Sequence, residues 1–315
     1  MKIQIIPEKG HDALFFRSYH LVNSLLPDKK IILGNSVDKL CRFCGKKSTE
    51  TTFNKVAHVI PEFMGNKYCF SNFECDNCNE YFGKLENSLF NYAGIFNIFS
   101  TVKGKKGYPK FKDKKENYEI FAEDLLKVKL KYDNFEKGNS FILNESKNKM
   151  FVEVYQPGYI PQDVFKSLVK IALCMMDSEE IFCYNETLEW LKKPSQKSDS
   201  FIFTIFRRFT GEKTYPQPMA FLYRKLNDSR FQNFPTHTFV IYYGTIEYQI
   251  FIPFCINDKH LDKVDTVYLP VEHFLIKDKM KDGEPHYAID KKHLGGIEKV
   301  SGTRTKFNTG FNPRN

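Results

Sequence analysis

Long apolar runs are missing from this sequence of 315 residues, which nowhere has about 18 apolar residues in succession. Because a membrane-spanning helix needs about 20 such residues, we expect no membrane span. The N-terminal residues, MKIQIIPEKGHDALFF, place charges among their apolar side chains and lack a cleavage-like end. A secretory signal peptide has a different composition, so the sequence predicts a cytoplasmic protein.

Other familiar features are also absent. The sequence has no internal repeat, no low-complexity tract and no glycine-rich phosphate loop, and the last absence argues against ATP-driven chemistry. Acidic residues number 38 against 47 basic ones, which gives a formal net charge of +9. This surplus is compatible with a polyanionic partner such as a nucleic acid. With 42% hydrophobic residues, the chain can bury a substantial core.

The pattern along the chain predicts an α+β protein, in which a small cysteine-rich module is followed by a larger mixed domain. An αβ lead-in is expected before the module, and its stretch FRSYHLVNSLL (16–26) is expected to be helical. Changes in composition place the boundaries at 1–40 for the lead-in, 41–100 for the module, 101–117 for a basic linker or loop, 118–300 for the α+β domain and 301–315 for a loose basic tail.

Two segments of the larger domain have clear patterns. Residues 161–180 have helical spacing of apolar residues, and Pro161 and Asp163 suit a helix start. Residues 237–254 alternate around Gly244-Thr245, which predicts a β-hairpin. No motif in this domain indicates a chemistry, so sensing, recruitment, oligomerisation and plain scaffolding all stay open.

The cysteines give the strongest local pattern. Four of the eight form two C-x-x-C pairs, Cys41 with Cys44 and Cys75 with Cys78. Two such knuckles can supply four thiolates to one tetrahedral zinc ion. Residues 45–74 separate the pairs, which exceeds common zinc-ribbon spacing and indicates an insertion between the knuckles. The alternative is a redox pair, but one C-x-x-C would suffice for that. The other four cysteines lie outside these pairs. Cys174, Cys183 and Cys255 are expected to be buried small hydrophobes, and Cys69 is expected to lie close to the cluster without belonging to it.

The insertion carries a lone histidine. KVAHVI (55–60) can form a strand that Pro61 ends, and a loop containing Gly65 and a second short strand follow. After Cys75 the apolar residues Tyr81, Phe82, Leu85, Leu89 and Phe90 have helical spacing. The expected order is strand, loop, strand and helix, with a core too small to fold without its metal.

These residues resemble the HNH endonucleases, the ββα-metal family, in its form with a four-cysteine zinc. The resemblance covers about residues 41–90 and rests on CxxC, AHVIPE, SN, CxxCN and FG in this order. It implies that His58 is the general base. It also implies that Asn72 holds the loop and orients the base, and that Asn79 binds a catalytic divalent ion, Mg²⁺ or Mn²⁺. The four cysteines would then hold a structural zinc.

One position departs from the family pattern. Many members have an acidic residue or histidine before the general base as a metal ligand, and here that residue is Ala57. Either the second ligand comes from elsewhere or metal binding is weakened. Glu62, Glu80 and Glu86 are the nearby carboxylates, and Glu86 lies two helical turns after Asn79 on the same face.

The resemblance implies a metal-dependent nuclease that acts on DNA. A nuclease module joined to a larger second domain also fits an antiphage defence or restriction effector. Three alternatives remain: a zinc-containing protein that binds nucleic acid without cutting it, an RNA-directed nuclease, and a ligand-gated nuclease. A homo-oligomer or a defence-system partner is compatible with each. The lysines at 103–115 either face solvent or contact phosphates.

Overall fold

The computed structural model describes residues 2–6, 12–104, 107–113, 118–124, 127–132, 141–144, 149–155, 157–209, 214–272, 289–301 and 304–310. Among the helices in these ranges, none combines the length and the apolar character needed to cross a membrane. The described residues contain both helices and strands, which confirms the predicted α+β class.

The described residues contain six α-helices: α1 Asp12–Ser18, α2 Asp76–Ala93, α3 Phe96–Phe99, α4 Pro161–Met175, α5 Ser178–Ile181 and α6 Asn185–Lys192. They also contain these strands: β1 Lys2–Ile6, β2 Tyr19–Leu25, β3 Ile31–Leu33, β4 Ala57–His58, β5 Cys69–Ser71, β6 Lys110–Asp113, β7 Tyr118–Asp124, β8 Lys127–Tyr132, β9 Phe141–Asn144, β10 Lys149–Tyr155, β11 Thr204–Phe209, β12 Tyr215–Lys225, β13 His237–Gly244, β14 Ile246–Phe251, β15 Thr266–Pro270, β16 Ile289–His293 and β17 Arg304–Gly310.

A six-stranded antiparallel sheet forms the centre of the chain, in the order β16-β11-β14-β13-β12-β2. Strands β13 and β14 are buried along their whole length, so this hairpin lies in the core. The hairpin turns at Gly244, whose φ is +53°, and a Cβ there would lie 2.1 Å from the Cβ of Ser100. The hairpin predicted around Gly244-Thr245 is therefore confirmed, and glycine is required at its turn.

Helix α4 lies in the middle of the molecule. All of its residues except Asp163 are buried, and α2 packs along it. The helix predicted over 161–180 starts as expected but ends at Met175, and α5 begins separately at Ser178. The chain is extended at Met176, whose ψ is 145°, and this breaks the helix.

The N-terminal segment differs from its prediction. A helix was expected over 16–26, but α1 ends at Ser18 and residues 19–25 form β2, so that prediction is wrong over most of its length. The Ser18 hydroxyl donates to the Leu14 carbonyl oxygen at 2.6 Å, and β2 pairs with β12 at the edge of the large sheet. Backbone pairing with a sheet edge outweighs the helical spacing of the side chains here.

The described residues also form four smaller sheets. They are the parallel pair β1-β15, and the three-stranded sheets β17-β10-β9, β6-β7-β8 and β3-β5-β4. Part of the expected loose tail, Arg304–Gly310, forms β17 against β10, and Lys110–Asp113 of the lysine-rich segment forms β6. Other parts of these two expected segments lie outside the described residues: 105–106, 114–117, 302–303 and 311–315.

Candidate active site and metal centre

The two cysteine pairs meet in space. The sulfurs of Cys41, Cys44, Cys75 and Cys78 all lie within 4.8 Å of one another, and the Sγ atoms of Cys44 and Cys75 are 3.7 Å apart. A tetrahedral zinc with Zn–S bonds of about 2.3 Å would place its sulfurs about 3.8 Å apart. The spacing of the four sulfurs is therefore compatible with structural zinc.

The local backbone explains how the cysteines converge. Gly45, with φ +72°, donates its N–H to the Cys41 carbonyl oxygen at 2.8 Å and closes the first knuckle. Cys75 is the N-cap of α2, and Cys78 lies in the first turn of that helix. A hydrogen bond from Cys78 lowers the pKa of Cys41 to about 5, which favours the thiolate that a zinc ligand needs. Within the described ranges, no second group of three or more Cys, His, Asp or Glu ligands comes together.

The cysteines outside the two pairs are largely buried, as expected. Cys69, Cys174 and Cys255 are buried, while Cys183 is half-buried. Burial raises the pKa of Cys174 to about 11 and of Cys69 to about 12, so both thiols stay neutral. Cys69 lies within β5 and is no member of the four-sulfur cluster.

Strands β4 and β5 and helix α2 follow one another as the predicted strand, loop, strand and helix. His58 is on β4, opposite Phe70 of the antiparallel strand β5. A third strand, β3, pairs in parallel with the other edge of β5. The stretch KIILGN (30–35) of the lead-in reads as a short strand in the sequence, and β3 confirms it. Its pairing with β5, which enlarges the predicted two-strand unit, was not predicted.

The loop between β4 and β5 is held by the buried side chain of Asn66, which was not predicted as a site residue. The amide of Asn66 donates to the carbonyl oxygens of Ile60 at 2.7 Å and Cys69 at 2.8 Å. Its Oδ1 accepts from the backbone N–H groups of Tyr68 at 3.2 Å and Cys69 at 2.9 Å. Four hydrogen bonds from one fully buried amide fix the loop that brings His58 beside Phe70. The GN pair at 65–66 is the sequence feature that could have drawn attention to it.

The structure places the other predicted site residues around this loop and helix. Asn72 follows β5, is half-buried, and donates its backbone N–H to the Leu33 carbonyl oxygen at 2.7 Å. Asn79 is half-buried in the first turn of α2, immediately after Cys78. Ala57 is 1% exposed, so the position before His58 offers only a buried methyl group.

The three carboxylates near the site have different surroundings. Glu80 is exposed and lies near the ammonium groups of Lys55 and Lys84, at 3.9 and 3.6 Å. Glu62 is half-buried at the start of a short 3₁₀ helix, Glu62–Met64. Glu86 is 23% exposed and lies 3.6 Å from the ammonium of Lys170 on α4.

Lys170 joins the histidine strand to the larger domain. Its ammonium donates to the His58 carbonyl oxygen at 2.6 Å and lies 3.1 Å from a carboxylate oxygen of Glu74. The Lys170 and Glu74 side chains are 1% and 0% exposed. Burial alone lowers the pKa of Lys170, but attraction by Glu74 and Glu86 outweighs it and raises that pKa. The ammonium is therefore charged, and it links β4, α2 and α4.

Arg42, inside the first knuckle, makes a second link to α4. Its guanidinium donates to the carbonyl oxygens of Cys174 at 3.3 Å and Met176 at 2.8 Å, and to that of Leu173. It also stacks 3.8 Å from the ring centroid of Phe73. Since the last carbonyls of a helix lack intrahelical partners and carry partial negative charge, Arg42 caps α4 from the cysteine module.

Comparison with known families agrees with this arrangement. A family model described as HNH endonuclease matches residues 41–89, which confirms the resemblance predicted over 41–90. Neither a search of curated proteins nor a search of solved structures gave a match. The matched segment suggests nuclease activity, and it contains the four-cysteine cluster, His58, Asn66, Asn72 and Asn79.

Proposed function

We propose, from the HNH endonuclease segment at residues 41–89, that the chain is a metal-dependent nuclease that hydrolyses phosphodiester bonds of DNA, with His58 as the general base. The observation that supports this best is the placement of His58. It lies on a short strand fixed by Asn66 from the loop and by Lys170 from α4. A half-buried imidazole on a rigid strand is suited to take a proton from water near neutral pH.

The residues present fit a sparsely ligated divalent ion. Asn79 would hold it through its amide oxygen, and Mg²⁺ tolerates few protein ligands because it retains several waters. Such an ion, when bound, neutralises charge that develops on the phosphoryl and leaving oxygens. Among the carboxylates, Glu80 is exposed and its lysine partners are exposed as well, so it is the candidate for a second ligand, whereas Glu86 lies beside the buried ammonium of Lys170. In this proposal Asn72 lies at the turn between β5 and α2 and helps to orient the site.

The larger part of the chain would recruit or regulate the nuclease. The α4 contacts through Lys170 and Arg42 give that part direct contact with both the histidine strand and the first cysteine knuckle. These contacts support the proposal that the rest of the chain controls cleavage by the nuclease module, as in a defence or restriction effector.

A substrate panel tests the proposal. Supercoiled plasmid, linear duplex DNA, single-stranded DNA and RNA are incubated with the full chain and Mg²⁺ or Mn²⁺. We expect cleavage of DNA that stops when EDTA is added, because the reaction needs the divalent ion. Preferential cleavage of RNA would show that the substrate is RNA and not DNA. Binding without cutting under all conditions, including after addition of cell lysate, would support the non-catalytic alternative that Ala57 favours.

A further inference from the structure

The third strand of the small sheet extends the surface beside His58 beyond the residues of the HNH match. Strand β3 lies before residue 41, outside the matched segment, and pairs with β5 in the register Ile32 with Phe70. Phe70 in turn pairs with His58 of β4. Directly paired residues on neighbouring strands point to the same face of a sheet. Ile32, Phe70 and His58 therefore form one row across this face.

The two faces of the sheet differ sharply in exposure. On the row's face, Ile32 is 54% exposed and Phe70 and His58 are half-buried. On the opposite face, Ala57 is 1%, Cys69 0% and Ser71 7% exposed, while Ile31 and Leu33 of β3 are half-buried. The row thus lines the side that is open to solvent, and the rings of His58 and Phe70 lie edge to face with centroids 5.0 Å apart.

A lysine completes this surface. Lys30 is exposed, lies two residues before Ile32, and places its Nζ 5.2 Å from the centroid of the Phe70 ring. A cation over an aromatic ring, beside an exposed aliphatic side chain, offers a phosphate contact and an apolar contact together. The row spans two inter-strand spacings, about 10 Å, which is close to the rise of about three stacked nucleotides.

We propose that Lys30, Ile32 and Phe70 bind the segment of the DNA strand that flanks the phosphate presented to His58. The proposal rests on the proposed nuclease function and extends it to a substrate-binding surface. The positive charge of Lys30 matches a phosphate of that segment. The ring of Phe70 packs against a base or a deoxyribose next to the scissile position.

The test measures DNA binding apart from cleavage. Fluorescence anisotropy of a labelled oligodeoxynucleotide, single-stranded and duplex, is recorded in EDTA for the full chain and for Lys30→Ala and Phe70→Ala. We expect Lys30→Ala to weaken binding several-fold and to reduce the slope of log affinity against log salt by about 1. We expect Phe70→Ala to weaken binding about 5- to 100-fold, and Phe70→Tyr, which keeps the ring, to restore most of it.

The chain offers a matched control. Lys39 places its Nζ 5.8 Å from the ring centroid of Phe53, so it is a second lysine above a phenylalanine, and neither residue belongs to the row. Lys39→Ala should leave binding within about twofold, and the melting temperature of each variant shows whether it is folded. Equal binding by folded Lys30→Ala, Phe70→Ala and Lys39→Ala would overturn the proposal, even if the wild type cuts DNA.

Two further outcomes are distinct from these. The wild type could cut no nucleic acid and still bind DNA in a way that depends on Lys30 and Phe70. This result would contradict the nuclease function and support the proposed DNA-binding surface. A dimer that dissociates on Phe70→Ala, with DNA binding unchanged, would show that a second copy of the chain covers this face and would overturn the proposal.

Discussion

Removing zinc with a chelator is expected to unfold the segment from Cys41 through α2. The unit contains only short strands and one helix, and the four cysteines join its first residues to the start of α2. Structural zinc in comparable small units contributes about 10–16 kcal/mol of apparent binding free energy, which is also folding free energy. Hydrogen exchange followed by mass spectrometry should show lost protection over residues 41–93 in the chelated protein.

A matched pair of variants checks this expectation. Cys75→Ser removes one proposed ligand and should abolish stoichiometric zinc, measured by elemental analysis, together with the protection of α2. Cys183→Ser changes a cysteine outside the cluster and should leave both unchanged. Full protection of residues 41–93 in zinc-free protein would contradict a structural role for the metal. Because Arg42 caps α4, we also expect the C-terminal turn of that helix to exchange faster without zinc.

Lys170→Met is expected to destabilise the protein by about 3–5 kcal/mol, because it leaves buried carboxylates without their cation. Glu74 is 0% exposed beside Lys170, and Glu86 shares the same ammonium. The variant also loses the hydrogen bond to the His58 carbonyl oxygen. We therefore expect a lower kcat with an unchanged KM, since Lys170 acts on the position of the histidine strand. Urea denaturation and plasmid cleavage measure the two effects.

The same helix supplies the control for Lys170. Lys166 lies one turn earlier, is also buried, and donates to the Lys193 carbonyl oxygen at 2.7 Å. Lys166→Met should lower the free energy of unfolding without lowering kcat, because this ammonium donates to the Lys193 carbonyl oxygen and not to the histidine strand. Lys170→Arg, which keeps the charge, should recover part of kcat. Equal losses of kcat in Lys166→Met and Lys170→Met at matched folded fractions would show that Lys170 contributes to stability alone.

The sequence was sufficient for features that depend on local spacing. The C-x-x-C pairs, the apolar positions of α2 and the alternation of residues 237–254 each predict an element that the structure contains. In these cases the same residues that define the pattern also make the contacts: Phe82, Leu85 and Leu89 are buried along α2.

Features that depend on distant partners could not be predicted in this way. Lys170 appears in the sequence as a polar residue of an amphipathic helix, and its role depends on Glu74 and on β4, about a hundred positions earlier. Strand β2 forms in a stretch of helical spacing because it pairs with the edge strand β12, and the partner of β3, which is β5, follows only from the fold. Asn66 is one of many asparagines until the fold surrounds its amide with four backbone groups.

Cleavage of supercoiled plasmid by wild type and by His58→Ala shows whether His58 is the base of a metal-dependent nuclease. Both proteins are compared with Mg²⁺ or Mn²⁺ at matched zinc content and melting temperature, so that folding differences do not enter. We expect the wild type to convert the plasmid to nicked and linear forms and His58→Ala to lose this activity by at least about 100-fold, the scale of a missing general base. Equal cleavage by the two proteins would show that His58 is not the base.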